Sequence, residues 1–383
     1  MDTESFEQIV SAVRRLVRDV VVPREQEIED TDAIPDDLRA AAAEMGLFGY
    51  ALPTEYGGLG VTMSEDVRLA FELGYTAPAF RSLFGTNNGI AGQMIAKFAD
   101  PDLRALFLPP MAEGKLIASF ALTESEAGSD PSGLRTTARR DGAHWVLDGT
   151  KRFITNAPLA DLFVVFARSD PQATGNRGIS AFLVDADAPG LAVGPRDAKM
   201  GQHGAWTAEL VLDGVRVPGD RLVGQEGRAF RSAMTVLSRG RLHIAALCVG
   251  LCQRVLDESV AHAAASRQGG RPIGEFQLVQ GMLADSYAEL AAGRALVLDT
   301  AARYDSGEDT VVGPSAAKLY CSEMASRITD RGVQVHGGVG YLRTTPVERF
   351  FRDARLYRIY EGTSEVQKVV IGRTLLAAAG GAR

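Results

Sequence analysis

Glu361 is the residue whose setting most invites chemistry. It ends a cationic and aromatic run, Arg352 to Tyr360, and is followed by Gly362 and a helix-start signal. Ser364 and Gln367 have capping-box spacing, and Glu365 adds an acid to the first turn. The stretch predicts a carboxylate on a glycine-flexed turn just outside a helix N-terminus. There the positive end of the helix dipole helps keep it ionised, as a general base requires. Taken alone, an ordinary cap-region acid on a surface loop explains these residues more simply.

Two other stretches could receive a ligand. Gln334-Val335-His336-Gly337-Gly338-Val339-Gly340-Tyr341 follows residues of helical period and lacks both GxGxxG and Walker A spacing. By itself it reads as a glycine turn between helices, with backbone N–H groups open to a phosphate. Phe120 to Asp130 passes from an apolar run into small and hydroxyl residues. It reads as a plain loop, or as a strand-end loop able to hydrogen-bond a flat heterocycle. The five histidines show no HExxH or Cys/His spacing, so no metal site is expected. Cys248, Cys252 and Cys321 are an odd, sparse set that fits a reducing compartment.

These residues must be positioned by more than one domain, since 383 residues exceed a typical single core. Hydrophobic content of 46% and charged content of 23% are ordinary for a globular chain. A net charge of −7 without a basic block argues against nucleic acid as a partner. The acidic start, Met1-Asp2-Thr3-Glu4, is not that of a signal or transit peptide, and no apolar run is long enough to cross a bilayer. The expectation is a cytoplasmic protein without membrane insertion.

Helical periodicity covers Phe6 to Val22, Leu38 to Met45, Ser64 to Gly74, Phe80 to Phe98 and Pro101 to Met111. From about Leu116 the pattern changes to short apolar runs. They include Trp145–Leu147, Phe153–Thr155, Leu162–Ala167, Ile179–Val184, Leu191–Val193, Glu209–Leu212 and Val215–Val217. Asp141-Gly142, Asp148-Gly149 and Asp213-Gly214 read as hairpin turns. Closely spaced strands without intervening helices predict an antiparallel sandwich or barrel. Long helices return over Met234–Ala265, Phe276–Tyr304 and Ser315–Val335. The expected fold class is α+β, with a helical domain over 1–117, a β domain over 118–226 and a helical domain over 227–383.

Jointly, these stretches resemble the acyl-CoA dehydrogenase family nearly end to end. Leu52-Pro53-Thr54-Glu55-Tyr56-Gly57-Gly58-Leu59-Gly60 is similar to that family's N-terminal loop, and Thr123 to Asp130 to its flavin loop. Phe153-Ile154-Thr155-Asn156 resembles the strand along the flavin. Lys199-Met200-Gly201 and Val215-Arg216-Val217-Pro218 are similar to later β-domain signatures, and Gln334–Tyr341 and Arg352–Gln367 to two C-terminal motifs. The resemblance implies a C-terminal four-helix bundle, a homotetramer or dimer, and FAD held between the β domain and the bundle. Phe120, Leu122, Thr123, Gly128, Ser129, Phe153, Ile154 and Thr155 would face the isoalloxazine. Gln334, Gly337 and Gly338 would receive the adenine half from a neighbouring subunit, with Arg267 and Gln277 also at the cofactor. Thr363 and Glu365 would close over the pyrophosphate. Ser129, Arg241 and Gly362 would lie along the thioester-bearing arm.

The implied reaction is α,β-dehydrogenation of an acyl-CoA, or of an acyl carrier protein thioester, to the trans-2-enoyl thioester. Glu361 would take the α proton while a β hydride passes to flavin N5. An electron-transfer flavoprotein would be the electron acceptor. Some members carry the base on an earlier helix, at a position that aligns with Gly240, which cannot serve. Departures from the pattern are Ser125-Glu126 for Pro-Gly, His203-Gly204-Ala205-Trp206, and Ser266-Arg267-Gln268-Gly269-Gly270 where Arg-x-Gln-Phe-Gly is expected. Trp206 is expected near the acyl mouth. The altered 266–270 segment keeps open a non-catalytic partner subunit, and the scaffold also admits a flavin oxidase or monooxygenase.

Overall fold

A computed structural model describes residues 2–380. Seven helices come first: α1 (Thr3–Arg15), α2 (Glu25–Thr31), α3 (Asp36–Glu44), α4 (Met63–Leu73), α5 (Pro78–Asn88), α6 (Ile90–Phe98) and α7 (Pro101–Ala112). Helix α4 starts on a full capping box: Glu65 N–H donates to Thr62 Oγ1 and Thr62 N–H to Glu65 Oε2. The single helix expected over Phe80 to Phe98 is two, α5 and α6, broken at Gly89. Pro78 sits at the first turn of α5, where its missing N–H costs nothing.

Seven strands follow: β1 (Ala118–Ala121), β2 (Thr137–Asp141), β3 (His144–Thr155), β4 (Leu162–Arg168), β5 (Ile179–Asp185), β6 (Leu191–Arg196) and β7 (Thr207–Pro218). They form one sheet in the order β1-β4-β2-β3-β7-β6, with β5 also on β4. Pairing is antiparallel except for β1 and β2 against β4. The unbroken apolar run of β4 has a simple cause. Leu162, Val164 and Phe166 face a core shared with α6 and α7, while Phe163, Val165 and Ala167 face a second core with Trp145, Leu210 and Val217. A strand buried on both faces does not alternate.

Only one of the three Asp-Gly pairs is a hairpin. Asp141-Gly142 joins β2 to β3, with Asp141 opposite His144. The other two lie within the long paired strands β3 and β7, where the register shifts between Leu147 and Gly149. Asp148 Oδ1 accepts the Gly214 N–H at 2.7 Å, so the first pair caps the second across a bulge. An Asp-Gly pair supplies positive φ for a bulge as readily as for a turn, which is why spacing alone misplaced the strand ends.

The C-terminal region contains α8 (Ala229–Ala265), α9 (Gln277–Asp305), α10 (Val312–His336), α11 (Pro346–Ala354) and α12 (Ser364–Gly380). Leu242, Cys248, Cys252 and Cys321 sit with Phe71, Phe80 and Phe84 of the first helices in one large core. The cysteines are therefore buried packing residues. Among the described residues no three His, Cys, Asp or Glu side chains are grouped to hold a metal. No helix is long and apolar enough to cross a membrane.

Candidate active site

Glu361 lies in the turn between Tyr360 and α12, at a left-handed φ of 55°. For a glutamate this is strained backbone, and the surroundings must hold it. Three donors do so through the neighbouring carbonyls. Lys318 Nζ, on α10, donates to Gly362 O at 2.6 Å. Gln367 Nε2 donates to Glu361 O at 3.1 Å and Gly362 O at 2.9 Å. Arg241 Nε, on α8, donates to Glu361 O at 3.4 Å.

The α12 cap differs from the expected one. Thr363 Oγ1, not Ser364, accepts an N–H of the first turn, that of Val366 at 3.2 Å. Ser364 Oγ is taken by Glu323 of α10 at 2.6 Å. Gln367 serves the Glu361 turn instead of completing a capping box.

The carboxylate of Glu361 points inward. Its Oε2 is buried and, among the described residues, accepts no hydrogen bond. A Cβ built on Gly240 would stand 2.8 Å from that oxygen, so the glycine makes the room the carboxylate occupies. Among the described residues its backbone N–H finds no acceptor either. Burial raises the Glu361 pKa above its ordinary 4.5, against the pull of Arg81, Arg241 and Lys318. The dipole of α12 favours the ionised acid, as its position before the helix predicts, but desolvation outweighs it.

A cavity of about 700 Å³ opens in front of this turn. Its walls include Phe120, Leu122, Thr123, Gly128, Ser129, Phe153, Ile154 and Thr155 from the sheet side. Arg241, Glu361, Gly362, Thr363 and Glu365 line it from the helical side. These predicted residues are thus brought together. Arg241 is buried, not a helix-surface arginine. Phe153 carries the other strained backbone of the site, φ 57°, at a register shift of β3, and its ring is 60% exposed. An aromatic ring turned out of a core at a conformational cost and facing a cavity points to a flat partner.

The volume suits an extended ligand, with hydroxyls and strand-end backbone on one wall and an unpaired acid on the other. The residues present therefore fit a flavin. Departure at Ser125-Glu126 does not disturb this: both are exposed at the corner of a turn closed by Glu124 and Ala127, away from the cavity.

Five predicted cofactor residues do not join the cavity of this chain. Arg267 is exposed on a two-by-two-residue hairpin, Arg267–Gln268 with Arg271–Pro272, and its Nη1 donates to Gly270 O at 3.3 Å. Gln277, Gln334, Gly337 and Gly338 are also exposed. Trp206 does not stand at the acyl mouth. Its Nε1 donates to Asp32 O at 2.6 Å, and the Arg196 guanidinium lies 4.0 Å from its ring centre, so it fastens the sheet to the loop after α2.

Residues that sequence reasoning missed include Val366, Val369, Val370 and Arg373 on one face of α12, and Phe230, Met234 and Leu237 on α8. The helical spacing of the α12 set was legible; which face met the cavity was not. A second, smaller cavity of about 60 Å³ continues beyond Glu361, lined in part by residues of α5 and the start of α6 from Arg81 to Ile90.

Comparison with known proteins agrees with this arrangement. Residues 3–115, 119–215 and 227–376 match the N-terminal, middle and C-terminal domains of acyl-CoA dehydrogenase. The chain belongs to the acyl-CoA dehydrogenase family. It is 38% identical over 374 residues to the probable acyl-CoA dehydrogenase FadE25 of Mycobacterium tuberculosis, covering 97% of this chain and 96% of that one. The 3-(aryl)acrylate reductase of Clostridium sporogenes is 36% identical, over 98% of this chain and 99% of its own. The structure of butyryl-CoA dehydrogenase from Megasphaera elsdenii superimposes with a TM-score of 0.94 at 32% identity, covering 98% and 100%. This acyl-CoA dehydrogenase family member is accordingly a flavoprotein oxidoreductase.

Proposed function

We propose that the protein dehydrogenates the Cα–Cβ bond of an acyl-CoA, with FAD as its flavin and Glu361 as the base that removes the α proton. FAD, when bound, supplies the acceptor for the hydride from Cβ. The Phe120–Thr123 strand end, Ser129 and the Phe153–Thr155 segment would hold its ring system, and Thr363 and Glu365 its phosphates. Arg267, Gln277, Gln334, Gly337 and Gly338, exposed on this chain, would serve a neighbouring copy in a homotetramer or dimer. An electron-transfer flavoprotein would take the electrons onward.

One observation carries the reading: a single residue, Glu361, offers an unpaired buried carboxylate oxygen and an unpaired backbone N–H beside the same cavity. The α C–H of a thioester is a very weak acid, so a base and a donor to the thioester oxygen must act together. Held at positive φ, Glu361 presents both. Removing water from around the acid sharpens its basicity, because a carboxylate raised toward neutrality keeps its proton once taken.

The test is anaerobic titration of the FAD-loaded protein with a series of acyl-CoAs. Bleaching of the flavin by at least one saturated chain is expected; no bleaching by any chain, CoA-linked or carrier-linked, would overturn the function. A pH profile checks the base separately. Since the working form is the carboxylate and burial raises its pKa, kcat/KM should rise with pH through a midpoint above 4.5. A midpoint at or below that value, or no acid limb, would contradict the desolvated base.

A further inference from the structure

The smaller cavity ends in charge where a purely hydrocarbon tail would need apolar walls. Its lining shares Thr86, Ile90, Thr155, Tyr360 and Glu361 with the large cavity, so the cleft continues past the base. Asp66, Arg81, Arg239 and His243 stand in its walls. These four come from α4, α5 and α8, and their hydrogen bonds fix one another's state.

Asp66 is fully engaged. Its Oδ2 is 2.7 Å from Arg239 Nη2 and its Oδ1 2.6 Å from His243 Nδ1. A carboxylate only accepts, so His243 Nδ1 carries the proton. Arg81 Nε lies 2.8 Å from His243 Nε2, and a guanidinium only donates, so Nε2 is bare and the imidazole neutral. Burial and the nearby Arg81 lower the His243 pKa, in the same direction. The Asp66 charge is therefore balanced by Arg239, and the relay through His243 orients Arg81 without neutralising it.

Arg81 is left as a cation held in place by one nitrogen. Among the described residues, its Nη1 and Nη2 have no hydrogen-bond partner, and no carboxylate stands within ion-pair distance. Gly85, one turn further along α5, gives the guanidinium its room. A Cβ there would stand 2.8 Å from both Cζ and Nη1. A rigid planar fork with both terminal nitrogens free, in the part of the cleft beyond Glu361, matches a carboxylate.

We propose that this end of the cleft is a subsite for an anionic terminus, and that the preferred acyl thioester is short and carries a carboxylate at its far end, paired with the Arg81 guanidinium. The proposal rests on the acyl thioester reading above. A methyl end would leave the half-buried cation without a partner and displace water from it, which disfavours simple fatty chains. The neutral His243 and the Asp66–Arg239 pair act as positioning residues, holding the fork at the required angle.

The experiment compares end groups without turnover. Calorimetric titration of the FAD-loaded protein with glutaconyl-CoA and with trans-2-pentenoyl-CoA gives two dissociation constants for ligands of equal length. The carboxyl-ended ligand should bind at least tenfold more tightly. Arg81→Gln should shrink that ratio at least about tenfold, to near one, as loss of one partner of a charge pair does, and Arg81→Lys should restore part of it. Equal or tighter binding of the methyl-ended ligand to the wild type overturns the subsite, as does an unchanged ratio in Arg81→Gln. The wild-type ratio decides the matter alone should the variant not fold. Because binding is read apart from flavin bleaching, a protein that bleaches with methyl-ended chains only loses the subsite and keeps the dehydrogenase function, whereas one that binds the carboxyl-ended ligand but never bleaches loses the function alone.

Discussion

Glu361→Gln should lower kcat by about 10³- to 10⁴-fold while leaving the fold as stable as before, or slightly more stable. The activity loss follows from removing the one group positioned to accept a proton, and general-base contributions reach about 10⁴. The stability claim follows from the sign of the pKa shift. The folded-state pKa of Glu361 is raised above its unfolded 4.5, so folding favours the protonated form. Between those two values the folded protein binds more protons, and stability falls as pH rises through that window. At neutral pH the buried carboxylate is a burden, and its Oε2 has no hydrogen bond to lose. A neutral amide of the same shape lifts the burden. Chemical denaturation at pH 7 together with steady-state kinetics checks both halves. A variant that is inactive and also unfolded would show that Glu361 holds structure, and one that keeps wild-type kcat would remove it from the mechanism.

The same geometry permits a sharper version. A Cβ at residue 240 would stand 2.8 Å from Glu361 Oε2, so a side chain rooted there reaches the carboxylate's own space. In the wild type Gly240→Glu should clash and pair like charges. In a Glu361→Gly background the new acid should recover part of the lost rate, at least about tenfold over Glu361→Gly alone. A glycine adopts the φ of 55° found at this position without strain, so the turn survives the exchange. Failure of the double variant to recover any rate, with flavin content intact, would mean that the orientation given by the α12 turn matters as well as the presence of an acid.

How much of this was legible in the chain differs from part to part. Order of helices and strands followed from periodicity, because long helices such as α8 and buried strands such as β4 repeat their pattern many times. The Glu361 turn was legible as a glycine-flexed acid before a helix. Its raised pKa was not, because the space left by Gly240 and the opposing charges of Arg81, Arg241 and Lys318 are remote in sequence. Nor could spacing tell that Asp148-Gly149 and Asp213-Gly214 face one another in a bulge, since each pair alone is a sound hairpin signal. Trp206 was misplaced for a related reason: its partner is a backbone carbonyl at Asp32, and backbone acceptors leave no mark in the sequence. The charged end of the acyl cleft was least visible of all. Asp66, Arg81 and His243 lie on three helices, and each alone passes for a surface residue.

Lys151→Met should destabilise the protein by about 3–5 kcal/mol and release the flavin, although Lys151 faces no ligand. Its side chain is fully buried in β3, and its Nζ is 2.7 Å from Glu124 Oε1 and 3.3 Å from Leu122 O. Glu124 in turn accepts the backbone N–H groups of Arg135, at 2.6 Å, and Thr136, at 2.9 Å. This pair is the strut behind the strand-end loop, whose other side, Leu122 and Thr123, walls the large cavity. Burial pushes the Glu124 pKa up, but Lys151 and the loop donors outweigh it, and the net shift is downward. That contribution to stability is present above the ordinary 4.5 and is lost as pH falls through the folded value. Removing the lysine strands the charge, and the loop must open to solvate it. The decisive control is Glu124→Gln with Lys151→Met. An amide keeps one carbonyl oxygen, enough for the Thr136 N–H and hydroxyl that share Oε1, but sets its NH2 against the Arg135 N–H that bonds Oε2; methionine fills the lysine's apolar path, so part of the lost stability and flavin content should return. Denaturant unfolding and the flavin-to-protein absorbance ratio measure the two effects. If the single variant keeps full flavin and stability, the loop is held by its backbone bonds alone. If the double variant is as damaged as the single, Lys151 matters through its bond to Leu122 O and not through Glu124.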